Sequence, residues 1–168
     1  LMNEADASTA TIDSLAAAAG VGRQTIYRWW PSKGAVLIEA MTERASLEVP
    51  VPDTGTFPGD LHAFLIATFR TAGAHNTAGV LRGVIVEAQR DQHTAMLLRE
   101  FAAGRRAALR AVFIRGRSRG ELSADADVEL LIDQAFGVLW YRMLIGRGDL
   151  DDEAAARLAT GLARQVSG

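Results

Sequence analysis

The chain contains no cysteine, which excludes disulfides, thiolate zinc sites and thiol nucleophiles and is compatible with a reducing cytoplasm. It lacks a long apolar run. The most apolar stretch, Leu130 to Ile145, is interrupted by Asp133, Gln134 and Arg142 and is too short for a bilayer. No basic segment followed by an apolar core and a small-residue cleavage site opens it, so no secretory signal is read. Strand signals are weak, with no sustained alternation bounded by hairpin turns. A formal net charge of −2 excludes a polycation that coats nucleic acid through bulk electrostatics, so any contact with DNA must be local. Also missing are a glycine-rich phosphate loop, a nucleophile elbow and a carboxylate pair on one face, which weighs against an enzyme. His62, His75 and His93 lie far apart without the i, i+4 spacing of a helical metal site. No metal or cofactor is therefore assigned, and the protein is expected in the cytoplasm with no membrane partner.

What is present favours helices. Apolar residues make up 49% of 168 residues and alanine is abundant. A chain of this length buries enough surface to fold without staples. Ile12, Leu15, Ala16 and Ala19 recur at i, i+3, i+4 and i+7, with Thr11 placed to cap the start and Gly20 placed to end the helix in a left-handed conformation. A second short helix runs from about Arg23 to Trp29 and is ended by Pro31. Ser32 is a natural N-cap for a third, whose buried side is read from Val36, Leu37, Ala40, Met41 and Leu47. The stretch Val49 to Gly59, with three prolines and two glycines, is the clearest boundary. Further helices are expected at about Asp60 to Ala74, Ala78 to Arg90, Thr94 to Arg117, Asp127 to Ile145 and Asp152 to Val166. The expected architecture is all-α: a head over residues 1–47 and a larger helical body over residues 48–168.

Two helices joined by Ala19-Gly20-Val21-Gly22 make a helix-turn-helix if they pack closely. Ala16 is small where they would cross, Gly20 can take the positive φ of the turn, and Val21 and Ile26 supply apolar groups to the junction. Arg23, Gln24 and Thr25 at the start of the second helix can hydrogen-bond to base edges or phosphates. The run from Thr11 to Lys33, with Thr25-Ile26-Tyr27 and Ser32-Lys33 at their spacings, resembles the TetR-family signature almost position by position.

That resemblance implies roles. Arg23 and Gln24 match positions that enter the major groove, with Thr25 beside them. Tyr27 matches an aromatic whose hydroxyl meets a phosphate, and Lys33 matches the lysine at the start of the next helix, where side chain and helix N-terminus both attract phosphate. Thr11 is a further phosphate contact that also caps its helix. Each has a plainer competitor: Arg23 and Gln24 as a solvated face, Tyr27 as packing, Arg28 as a surface ion pair. At least one of Trp29 and Trp30 is expected in the core. Two departures stand out. The family has a helix before the motif, of which only a remnant around Leu1 to Ala5 fits here, so residues upstream of Leu1 are expected. Gly34 replaces a helix-favouring residue, at a cost of about 1 kcal/mol relative to Ala.

In the family the last two long helices pair with their copies, and earlier ones surround a ligand cavity. Val128, Leu131, Ile132, Ala135, Phe136, Leu139, Trp140, Met143 and Leu144 form a stripe too wide for one buried face, which suits a helix packing inward and across a two-fold axis. Leu131, Phe136, Leu139, Met143, Leu158 and Leu162 are the candidate dimer residues. Phe64, Phe69, Phe101, Trp140 and Tyr141 are candidates to line an apolar cavity, with plain core packing as the competing reading. Arg105, Arg106, Arg110, Arg115, Arg117 and Arg119 read as a solvated face in preference to a second nucleic-acid surface. The resulting expectation is a dimeric repressor released from a palindromic DNA operator by an unidentified small-molecule effector. The alternative is a ligand- or partner-binding helical module without DNA binding.

Overall fold

The computed structural model describes residues 20, 24, 30, 32–74, 77–146 and 148–166. Among the described residues there is no strand, and six helices follow in order: α1 Lys33–Glu48, α2 Phe57–Gly73, α3 Thr77–Ala88, α4 Gln92–Ser118, α5 Val128–Ile145 and α6 Asp152–Val166. The all-α expectation holds. By contacts the chain divides into two compact units, Leu1–Glu43 with His75–Ala102 and Arg44–Ala74 with Ala103–Gly168. The first unit thus takes in α3 and the beginning of α4, which the sequence alone groups with the body.

In the first unit, Gly20 is an exposed turn residue at φ 67°, the left-handed conformation expected for it. The Trp30 indole is half-buried and donates to the Glu39 carboxylate. Ser32 caps α1 as expected, its Oγ accepting the Ala35 N–H at 3.1 Å. The buried side of α1 differs from the sequence reading. Ala35 and Ile38 of the first unit are buried, as are Ala45 and, just beyond the helix, Val49 of the second, whereas Leu47 is 75% exposed and Ala40 is exposed. Alanines share that face with Ile38 and Val49 while the larger Leu47 lies off it, so hydrophobicity alone misassigns Leu47.

In the second unit α2 packs along α6 and also meets α5. Phe57, Leu61, Phe64, Leu65 and Phe69 of α2 are all buried, as are Leu109, Val112 and Phe113 of α4. Each such side chain contributes roughly 1.5–3 kcal/mol through loss of water contact. The Phe57 and Phe113 rings meet at 5.1 Å between centroids, tilted by 51°. Ala154, Ala155 and Ala159 of α6 are buried, so its small residues bring α2 and α6 close within one chain. Helix α2 starts three residues earlier than the periodicity implies: Thr56 is its N-cap and accepts the Gly59 N–H at 3.2 Å. Pro58 then sits in the first turn, where a missing N–H costs nothing.

The proline-rich segment before α2 is fastened by a buried carboxylate. Asp60, 0% exposed, accepts hydrogen bonds from the Thr54 backbone and hydroxyl, from Arg115 Nε at 3.1 Å and from Arg119 Nη1 at 3.0 Å. Arg115 also donates to the Pro52 carbonyl, and Arg119 pairs with Asp53. Burial alone would raise the Asp60 pKa, but the hydrogen bonds from Thr54, Arg115 and Arg119 outweigh it and hold the group at about 2. The Phe57 N–H donates to Glu121 at 2.6 Å, tying the start of α2 to the loop after α4.

Candidate nucleic-acid interface and effector-side residues

Lys33 is the first residue of α1 and is partly buried. The first turn of α1 itself carries no acidic residue, so the Lys33 ammonium adds its charge to the positive end of the helix dipole. Gln24 is helical and exposed, a few residues beyond the left-handed turn at Gly20. Thr11, Arg23, Thr25 and Tyr27 lie outside the described residues.

The start of α1 is fixed tightly inside its unit. Ser32 Oγ and Thr94 Oγ1 are 3.1 Å apart, and the Gly34 N–H donates to Glu87 Oε1 at 3.3 Å. A Cβ on Gly34 would fall 2.6 Å from Thr94 Cγ2 and 3.2 Å from Glu87 Cδ. Thr94 is itself fully buried, and its N–H donates to Asp91 Oδ2 at 2.7 Å. Gly34, a departure from the family pattern in the sequence, is therefore a close-approach position. The glycine lets the N-terminal end of α1 abut Glu87 of α3 and Thr94 of α4. Sequence reasoning saw the lost helix propensity and had no signal for the contact.

The candidate cavity residues separate. Phe64 and Phe69 belong to the second unit's core and are 0% exposed. Phe101 and Trp140 are partly buried, and Tyr141 is 56% exposed. The candidate dimer residues also separate: Leu131, Leu139, Met143 and Leu162 point into their own unit and are buried, while Phe136 and Leu158 are partly buried. The stripe on α5 is wide because the helix carries two apolar faces. The outer one bears Leu130, Tyr141, Leu144 and Ile145, all exposed. Beside it runs a groove of roughly 450 Å³ between α5 and α6, lined by Gln134, Gly137, Val138, Arg157, Leu158, Gly161, Leu162 and Gln165.

The arginines of α4 and its following turn are not a uniform solvated face. Arg106 and Arg110 reach Glu129, at 3.0 Å and 2.6 Å, and Arg106 also meets Asp133. The Arg110 hydrogen bond, assisted by Arg106, lowers the Glu129 carboxyl to about 2 against a smaller desolvation effect. Arg115 and Arg119 serve the buried Asp60, and Arg117 donates to the Ala126 carbonyl at 3.0 Å. Arg105 has a different setting: its guanidinium carbon stands 5.2 Å from the centre of the Phe64 ring.

Helices are the only regular elements among the described residues, and the helix-turn-helix signature in the sequence before them defines the class: a DNA-binding transcriptional regulator. Residues 1–40 match the family described as "Bacterial regulatory proteins, tetR family", and residues 51–162 match "Tetracyclin repressor-like, C-terminal domain". The chain belongs to the TetR family. It is 33% identical over 155 residues to the HTH-type transcriptional regulator YdeS of Bacillus subtilis (strain 168), covering 90% of this chain and 77% of that protein. It is 32% identical over 151 residues to the DNA-binding transcriptional repressor TetR of Mycobacteroides abscessus, covering 88% and 78%. Among solved structures, the TetR family transcription regulator SCO0332 superposes with a TM-score of 0.80 at 32% identity, covering 94% of this chain and 87% of that one. The relatives carry the names of transcriptional regulators. No described helix is long and apolar enough to cross a membrane.

Proposed function

We propose that the protein is a homodimeric repressor that reads a palindromic operator in the cytoplasm and leaves it when a small-molecule effector binds the body. Residues 1–47 would form the DNA-reading part and residues 48–168 the regulatory part. Thr11, Arg23, Gln24, Thr25, Tyr27 and Lys33 would face DNA, with Gln24 reading a base edge and Lys33 meeting phosphate. The observation that carries the dimer is the second apolar face of α5, where Leu130, Tyr141, Leu144 and Ile145 are exposed beside the α5–α6 groove. A copy of the same helix pair covers such a face by two-fold symmetry, residue against symmetry-related residue. The inward Leu131, Leu139, Met143 and Leu162 would then support that surface from below, and Leu158 would take part directly.

Two glycines make the test clean. A Cβ at Gly137 or at Gly161 would meet nothing within 4 Å in the single chain, so Gly161→Arg adds bulk and charge outside its core. Sedimentation equilibrium of the unaltered protein at micromolar concentration is expected to give twice the chain mass, and Gly161→Arg to give the single-chain mass with helical circular dichroism retained. A single-chain mass for the unaltered protein, or a dimer unaffected by Gly161→Arg, would reject this face as the interface.

A further inference from the structure

Two buried polar groups flank Phe64, and neither has a hydrogen-bond partner among the described residues: Arg105 Nη2 and Thr68 Oγ1. Thr68 is 7% exposed and lies one turn after Phe64 on the same face of α2. Two other helical threonines satisfy themselves locally. The Thr42 and Thr160 hydroxyls donate to the carbonyls of Ile38 and Ala156, four residues back, at 2.8 and 2.9 Å. Thr68 makes no such bond, so its hydroxyl is left for something other than its own helix.

Arg105 differs in the same way from its neighbours on α4. Arg106, Arg110 and Arg115 each face a carboxylate, whereas Arg105 has only the Phe64 ring beneath its guanidinium. Burial pushes its pKa down from the ordinary arginine value with no acid to offset it. A guanidinium stays protonated nonetheless. An unpaired cation against the Phe64 ring and an unpaired hydroxyl one helical turn along from Phe64 cost stability unless an acceptor completes them. Their shared complement is an oxyanion, and the hydrophobic core to which Phe64, Leu65 and Phe69 of the same helix belong favours a ligand that is otherwise apolar.

We infer that Arg105 and Thr68 form the polar end of the effector site, receiving the acidic group of an amphipathic organic acid whose apolar part lies beside Phe64. The inference rests on the reading that the body binds an effector, and deepens it by naming the ligand's chemistry. A carboxylate would meet the guanidinium through two parallel N–H···O bonds, while a phosphate would offer the same charge with a further oxygen for Thr68.

The test uses the full-length protein and three probes of one chain length, octanoate, octyl phosphate and octan-1-ol, with binding followed by tryptophan fluorescence. At least one acid is expected to bind tenfold or more tightly than the alcohol, and which acid does so separates a carboxylate ligand from a phosphate one. Arg105→Met, which keeps an apolar stem over Phe64, should erase that preference, and Arg105→Lys should retain part of it. Thr68→Val should weaken the acid several-fold and leave the alcohol unchanged. Equal affinity for acids and alcohol, or a preference that survives Arg105→Met in protein with an unaltered melting curve, would overturn the inference. Failure of all three probes to bind would overturn it too. Release of operator DNA by a neutral compound in that event would leave the effector reading standing.

Discussion

Replacing Asp60 with alanine is expected to destabilise the protein by about 3 kcal/mol, the low end of the cost of stripping one partner from a buried ion pair. The low end applies because Arg115 and Arg119 keep side-chain exposures of 27% and 25% and can recover some water. The loss has two parts: two guanidinium groups left with only the exposed Asp53 and, for Arg119, Glu121 as carboxylate partners, and the Thr54 N–H and hydroxyl left without their acceptor. For a chain of this size that corresponds to a fall in melting temperature of about 6–12 °C. The same carboxyl sets an acid limit. Its pKa is about 2 in the folded protein against an ordinary 3.8, so the charged form favours folding. That contribution is complete above the ordinary value and is lost as the pH falls from about 5 toward 2. Thermal melts at pH 7 and pH 3 should therefore differ less in Asp60→Ala than in the unaltered protein. An equal pH dependence in both would show that Asp60 is not the group responsible.

Gly34→Ala is expected to destabilise by about 2 kcal/mol, opposite in sign to the gain of about 1 kcal/mol that helix propensity alone predicts. The added methyl would stand 2.6 Å from Thr94 Cγ2 and 2.9 Å from its Oγ1, inside a fully buried junction that cannot yield cheaply. Thr94→Ser removes the methyl group and keeps the hydroxyl that meets Ser32, so it should restore part of the loss. A double-mutant cycle read by urea denaturation measures this, and the two changes should be non-additive because the groups touch. A gain in stability on Gly34→Ala would mean that the close approach is not enforced in solution. Because this junction fixes the end of α1 that bears Lys33, the variant should also weaken DNA binding beyond what its unfolded fraction accounts for.

How far the sequence could be read depended on the range of the interaction that shapes each feature. α6 begins and ends where its alanine-rich periodicity places it, at Asp152 and Val166, because a regular stripe is local information. The left-handed turn at Gly20 and the Ser32 cap were likewise legible from one or two residues. The start of α2 was missed because Thr56 and Pro58 read as linker residues until the helix behind them is known. Leu47 was assigned to the interior on hydrophobicity, while alanines at 35 and 45 do the packing. The largest omissions were pairings across long sequence separations: Asp60 with Arg115 and Arg119, Gly34 with Glu87 and Thr94, Phe64 with Arg105. In the sequence those arginines form one basic run. In the structure they divide into a core clasp, a surface ion-pair network and a cation with no counter-charge.

The candidate DNA-reading residues depend on a motif more than on periodicity; of them Gln24 and Lys33 are described, Gln24 as an exposed helical residue and Lys33 as the first residue of α1. The most direct test of the central claim is selection of a randomised DNA library by the full-length protein at fixed salt, followed by sequencing, with Gln24→Ala and Lys33→Ala in parallel. The account predicts a palindrome whose half-sites lie about 34–36 Å apart, or a multiple of that. Gln24→Ala should relax preference at one base pair of each half-site, by about 1–3 kcal/mol each. Lys33→Ala should weaken all sequences alike and reduce the salt dependence by about one phosphate contact per subunit. No enrichment from protein that is folded by circular dichroism would contradict the account.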